Sequence, residues 1–267
     1  MSVVRRPAVA GMFYPDDPEE LRETVEALLA DASDPADTAR DGSPPKALVA
    51  PHAGYVYSGP VAATAYARLG RARETVRRVV LLGPSHHVAF RGLAASRAEF
   101  FETPLGRIAV DTRALAELAD LPQVQVLDAA HAREHSLEVH LPFLQVALRD
   151  FQLVPLVVGD ATAAEVAQVL ERLWGGPETL IVVSSDLSHY HDYATARRLD
   201  RETSRFIQDL SPVPLHGEQA CGCRPVSGLL QAARDHGLQA RLLDLRSSGD
   251  TAGPRDRVVG YGAYAFA

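Results

Sequence analysis

The residues best able to do chemistry in this chain are histidines, and several of them follow short apolar runs. Ala47-Leu48-Val49-Ala50 leads through Pro51 to His52, and Val79-Val80-Leu81-Leu82 leads through Gly83-Pro84-Ser85 to His86 and His87. Leu180-Ile181-Val182-Val183 leads through Ser184-Ser185-Asp186 to His189 and His191. Imidazole is the commonest transition-metal ligand and the side chain that titrates nearest neutrality. Convergence of these histidines would make a metal centre or an acid–base centre. His86 and His87 are adjacent, so on extended chain they point opposite ways and one of them enters a pocket; the pattern does not choose between them. Asp186 and His189 lie three residues apart, close enough for the carboxylate to orient the imidazole.

Two further segments add candidate groups. In Cys221-Gly222-Cys223-Arg224-Pro225 the thiols precede a helix predicted to begin near Pro225, beside a cation. Both features favour the thiolate, the form that binds metals. The competing account is a pair of small buried apolar side chains. A disulfide across a single residue would be strained. In Glu134-His135-Ser136-Leu137-Glu138-Val139-His140 the spacing is not that of the zinc-protease helix. On a helix His135 and Glu138 share a face, which makes them candidates to wall a pocket or support its ligands, with His140 structural. His131, His216 and His236 sit in polar stretches and are expected at the surface.

Other chemistries are disfavoured. The Gly-x-Ser-x-Gly elbow of serine hydrolases is absent, as is the Gly-Lys-Ser/Thr of a phosphate loop. Lys46 is the only lysine, so it alone could form a Schiff base.

Elements able to position these residues are legible from periodicity. Runs of Val, Leu and Ile read as strands buried on both faces, as in parallel sheets, whose ligands bind beyond the strands' carboxyl ends. Further strands are predicted near 107–110, 153–158, 240–245 and 258–266. Helices are predicted near 17–29 (Asp17 capping, Pro18 in the first turn), 60–69, 112–118, 134–149 (bent at Pro142), 162–174, 194–210 and 225–235. The stretch from Asp31 to Pro45, rich in Asp, Pro, Gly and Ser, reads as a loop. Strands and helices alternate without a repeat or linker, which predicts one α/β domain. The 267 residues suit it, with 46% hydrophobic and 23% charged side chains. A net charge of -7 argues against a nucleic-acid partner. No apolar run is long enough to span a membrane and no signal-peptide core follows Arg5 and Arg6, so a cytoplasmic location is expected.

Together the segments Ala10-Gly11-Met12-Phe13-Tyr14, Pro51-His52-Ala53-Gly54-Tyr55, Gly83-Pro84-Ser85-His86-His87, Glu134 to Pro142, Ser184-Ser185-Asp186 with His189, and Cys221-Gly222 resemble the MEMO family, called protein B of the AmmeMemoRadiSam system in bacteria. The closing Gly260-Tyr261 is also similar. The family is similar in fold to class III extradiol ring-cleaving dioxygenases, which bind non-haem Fe(II). The resemblance implies a single three-layer α/β/α domain over 1–267 with a mostly parallel central sheet. It implies His52, His86 and Cys221 as metal ligands, His189 as the acid–base residue and Asp186 as its companion. Phe13 falls where animal members have a pocket tryptophan; with Tyr55, His135 and Glu138 it is expected to line the pocket.

The resemblance implies a transition metal, Fe(II) or copper first and zinc next. It also implies a small-molecule or peptide ligand and functional association with radical-SAM and AMMECR-type proteins. The leading expectation is a bacterial metal-dependent redox protein or oxidoreductase. A thiolate where the dioxygenases place a glutamate is softer and shifts preference towards copper or zinc. Fold does not fix function, so ring cleavage of a catechol-like substrate stands second. A non-catalytic peptide- or protein-binding module stands third, since an animal member is associated with signalling and peptide binding.

Overall fold

Alternate residues of each apolar run face opposite sides of one sheet. The computed structural model describes residues 2–32 and 44–267, so most of the predicted loop from Asp31 to Pro45 lies outside the described residues. Strands β2 (Ala47–Ala50), β3 (Arg78–Pro84), β8 (Gln152–Val158) and β9 (Thr179–Ser184) are almost wholly buried and form a parallel centre in the order β2-β9-β3-β8. Leu48, Leu81, Leu180 and Val182 face one apolar core; Val49, Val80, Leu82, Ile181 and Val183 face the other. This is the two-residue period of a strand, with no polar face to spare.

Helices cover both faces. Pro18–Ala32 (α1), Tyr55–Tyr66 (α2) and Leu141–Ala147 (α5) belong to the first core through Leu21, Val25, Val61 and Phe143. Ala163–Arg172 (α6), Tyr193–Gln208 (α7) and Cys223–Asp235 (α8) belong to the second through Val166, Leu170, Ile207 and Leu229. Short helices Thr112–Ala116 (α3) and Asp128–Ala132 (α4) complete the set. The architecture is α/β/α in three layers around a mostly parallel sheet. Caps follow local chemistry. Asp192 accepts the Thr195 N–H at 3.0 Å to start α7, and Thr162 and Glu165 form a reciprocal capping box on α6.

The sheet is extended antiparallel at one side. Strand β12 (Val258–Phe266) pairs antiparallel with β2, and both β10 (His189–His191) and β11 (Ala240–Ser247) pair antiparallel with β12. Because β12 runs against β2, its first residues lie at the rim where β2 ends. At the other side β4 (Leu93–Ala95) pairs with β8 and β7 (Val124–Val126) with β4. A separate three-stranded sheet joins β1 (Val4–Arg5), β5 (Phe100–Thr103) and β6 (Gly106–Ala109).

Some boundaries differ from the sequence reading. Helix α2 starts at Tyr55 and carries Pro60 inside it, so the loop after β2 is only Pro51 to Gly54. The segment expected to be one bent helix over 134–149 splits into a 3₁₀ turn, Glu138–His140, and α5. Pro142 stands in the first turn of α5, where its missing N–H costs nothing. Helix α8 begins two residues early, at Cys223. Among the described residues no helix is long and apolar enough to cross a membrane.

Lys46, just before β2, donates to the Gly176 and Thr179 carbonyls at 2.9 Å and to that of Trp174. It is a strut between loops, away from the cavity described next.

Candidate metal centre

The rim beyond β2, β9 and β3 gathers the histidines. His52, 2% exposed, hangs from the end of β2. Its Nδ1 lies 2.6 Å from the Ser184 hydroxyl at the end of the neighbouring β9, and its own N–H donates to Asp186 Oδ1 at 2.8 Å. His86 follows β3. Its backbone N–H donates to Glu134 Oε2 at 2.6 Å and its Nδ1 lies 2.8 Å from Glu134 Oε1. His135 has its Nδ1 3.5 Å from the same Oε1. Ligand atoms of His52, His86 and His135 all lie within 4.8 Å of one another.

The backs of these rings decide what their fronts can do. Each Nδ1 faces Ser184 or Glu134, which leaves Nε2 as the nitrogen free to ligate. That is the arrangement metal-bound histidines adopt, with an outer partner fixing tautomer and ring direction. Burial, then the neighbouring His86 and His135 rings, holds His52 well below the usual imidazole range. His135 is pushed down to about 4, chiefly by burial and then by His86. Neutral rings are the ligating form. The donor set therefore fits a transition metal.

Cys221 adds sulfur. Its Sγ is 3.4 Å from His52 Nε2 and accepts the Asp186 N–H at 3.2 Å. The residue is partly exposed, but its sulfur is enclosed by His52, Asp186 and Ser185. Burial, reinforced by the Asp186 carboxylate, pushes its thiol well above the ordinary range. The expected thiolate is thus not favoured in the protein alone: desolvation outweighs the nearby start of α8. A cation among the imidazoles would supply the missing compensation.

Asp186 and His189 are both at the rim but do not pair as expected. The Asp186 carboxylate takes backbone N–H groups of His52 and Ala53, while the His189 ring bonds the Leu187 carbonyl. Desolvation raises Asp186 to about 7 despite those bonds. It can hold or release a proton near neutrality.

These groups open on a cavity of ≈ 910 Å³ lined by Phe13, His52, His86, His135, Asp186, His189 and Cys221, among others. His86 lines it and His87 does not, as the alternation requires. Phe13 packs on His135 with ring centroids 4.9 Å apart. Glu138 and Tyr55 lie beneath the wall and do not line this cavity. Glu138, 1% exposed, pairs with Arg5 and accepts the Ala8 and Val9 N–H groups and the Tyr14 hydroxyl, at 2.8, 3.0 and 2.6 Å. It anchors the segment that carries Phe13. The Tyr55 hydroxyl donates to the Val139 carbonyl at 2.8 Å, and the residue borders a neighbouring cavity. His140 is buried against Tyr66, its Nδ1 2.7 Å from the hydroxyl. His131, expected at the surface, is 2% exposed and bonded to the Ala94 carbonyl, with burial pushing it down to about 4.

Sequence reasoning did not single out Glu134, Ser184, Tyr190 or Arg257, and it named His191 only as one of the histidines that follow β9. Glu134 reaches His86 across 48 residues, which no local pattern encodes. The clue for Ser184 was its place opposite Ala50 at the end of an adjacent buried run.

The family model described as Memo-like protein matches residues 5–265. MEMO1 family proteins of Saccharolobus islandicus and Aeropyrum pernix are 38% and 37% identical, covering 98% and 97% of this chain and 99% and 98% of their own lengths. One from Aquifex aeolicus is 36% identical, with 97% of both chains covered. Among solved structures, an uncharacterized protein from Escherichia coli K12 aligns at TM-score 0.47 and 15% identity over 80% of this chain and 98% of that one. A match across almost the whole chain, with several relatives above a third identical, settles membership: this chain belongs to the Memo-like protein family.

Proposed function

We propose that the protein is a metal-dependent redox protein or oxidoreductase. Its metal is held by His52, His86 and His135, with Cys221 as the further ligand that must lose a proton to bind. The observation that carries this reading is the backing of three imidazoles by Ser184 and Glu134, with ligand atoms of the three rings within 4.8 Å of one another. Packing alone gives no reason to fix three rings in that way. Iron or copper bound there would supply one-electron or Lewis-acid chemistry.

The chain's own groups then divide the remaining work. Glu134 and Ser184 keep the ligand nitrogens aimed. Asp186, poised near neutrality and buried beside Cys221, is suited to hold or pass a proton. His189 stands on the cavity wall within the same space and is suited to exchange a proton with a ligand there. Phe13 closes the wall against His135 and limits water.

Ring cleavage of a catechol-like substrate is the weaker reading, because the cluster of converging ligand atoms contains no carboxylate. The test is metal analysis of protein purified without oxygen. About one equivalent of iron or copper is expected in the wild type, lost in His52→Ala and reduced in Cys221→Ser. Protein that is metal-free and takes up neither Fe(II) nor copper overturns the proposal in favour of a binding-only module.

A further inference from the structure

The wall facing the imidazoles is built for a different purpose. Seven large apolar side chains of the described residues stand exposed, and four of them, Met12, Val56, Tyr57 and Tyr190, line this one cavity. Met12 is 72% and Tyr190 62% exposed. Clustering of exposed apolar groups around a concavity marks a binding surface, whereas scattered ones would mean nothing. The cavity volume is within the range of small-molecule sites.

One cation belongs to that wall. Arg257, just before β12, lies over the Tyr190 ring with its guanidinium carbon 4.5 Å from the centroid. Among the described residues it pairs with no carboxylate. Its planar face is taken by Tyr190, so its N–H edge is the part left to bind, and that edge is a two-pronged fork matching a carboxylate. Tyr190 is held for this with φ +64°, a conformation that costs a non-glycine residue free energy. The pairing of β10 with β12 shifts register at the same place, between His189 and His191. The kink lets His189 and His191 both line the cavity while Tyr190 lies between them against Arg257. Glu218, exposed on the same cavity, repels negative charge, so an acid group is favoured on this wall only beside Arg257.

We propose that the cavity takes a small aromatic monocarboxylate, its acid group on the edge of Arg257 and its ring among Tyr190, Tyr57, Val56 and Met12, with its far end turned toward the histidine cluster. This names the ligand class of the cavity proposed above as the reaction site and rests on that reading for its role in chemistry, though not for its binding.

The test compares 3-phenylpropanoate with its neutral amide, each titrated calorimetrically into wild type and Arg257→Gln, with metal retained and after chelation. The wild type is expected to prefer the acid by about tenfold or more, the worth of one charge-assisted pair. Arg257→Gln should abolish the preference while leaving amide binding nearly unchanged. Tyr190→Ala should weaken both ligands. Absence of binding, equal affinity for acid and amide, or a preference that persists in Arg257→Gln overturns the inference. Tighter binding of an acetylated, amidated peptide bearing the same phenyl group also overturns it, in favour of an extended partner. Metal content is read in parallel on the same samples. Loss of the acid preference in Arg257→Gln with metal unchanged supports the inference. An acid preference in wild type that holds no metal leaves this inference standing while the redox reading falls.

Discussion

Glu134→Gln is the substitution that best tests whether the imidazoles are aimed by their outer partner. The carboxylate accepts the His86 N–H at 2.6 Å and the Ser136 N–H at 2.9 Å, meets His86 Nδ1 at 2.8 Å and lies 3.5 Å from His135 Nδ1. Desolvation alone would raise it, yet the hydrogen bond and electrostatic attraction to the His86 ring, with two backbone N–H groups, hold it down to about 2. Glutamine keeps the volume but turns one acceptor oxygen into a donor. With its carbonyl oxygen at the Oε1 position, its amide faces the His86 N–H, donor against donor, leaving a buried bond unmade at a cost of about 1–3 kcal/mol. With the amide reversed, it donates to His86 Nδ1 only if the ring proton moves to Nε2, the nitrogen required for a metal.

Either arrangement weakens the site. Loss of such an outer partner costs 10–100-fold in metal affinity, or about 1.4–2.7 kcal/mol. Competition with a chromophoric chelator gives the dissociation constant, and thermal unfolding of metal-free protein gives the stability term. Both a weaker metal complex and a Tm lowered by several degrees are expected. A lowered Tm with unchanged affinity would refute the orientation argument. Ring packing alone, with His86 and His135 stacked at 4.6 Å and Phe13 behind, would then set the site.

Two further substitutions probe the supports. Asp200, buried in α7 beneath β10, accepts the Ser188 N–H at 3.0 Å, and burial raises its carboxyl from 3.8 to about 6. A folded pKa above the unfolded one means that its contribution is fully present below about pH 4 and lost as pH rises through about 6, by roughly 3 kcal/mol. Asp200→Asn, which keeps an acceptor for Ser188, should therefore exceed wild type in denaturant midpoint above pH 6 and lose that advantage near pH 4; a pH-independent difference would contradict this. Gly222→Ala would place a Cβ 2.5 Å from the Ser184 carbonyl oxygen and 2.6 Å from Ser185 Cβ. The backbone beside Cys221 must then move, and the variant should lose roughly 1–3 kcal/mol of stability together with part of its metal, as seen by denaturant titration and metal analysis.

The parallel centre of the sheet was legible because β2, β3 and β9 contain unbroken apolar runs, and only a strand buried on both faces demands that. The edge strands were not. Leu93–Ala95 and Val124–Val126 are three residues each, too short for a period to emerge. His189–His191 has no apolar residue of the aliphatic kind and is a strand because β12 offers it a partner. His52 and His86 were legible for the same reason as their strands, since chain leaving a buried strand must surface at the rim. His135 comes from the helical side, where no strand end marks its arrival. Its neighbour Glu138 shares a helical face with it only on the assumption of a helix. The structure has a 3₁₀ turn starting at Glu138 instead, and the carboxylate turns inward to Arg5.

That difference in origin separates the two walls of the cavity physically. The imidazole wall comes from parallel strand ends and from Glu134, and its geometry depends on the central sheet. The Arg257 and Tyr190 wall comes from the antiparallel extension, β10 on β12, at a register shift held by its own strained residue. Groups in separate supports perturb each other little, so their substitutions should add. His189 is the exception, since it belongs to the extension yet lines the same space as the metal cluster. Displacing β10 by changing Asp200 or Ser188 should therefore alter proton transfer and ligand preference together while leaving metal affinity alone. Changing Glu134 should do the reverse. This asymmetry ties what the cavity recognises to one edge of the sheet and the metal centre to the sheet's middle.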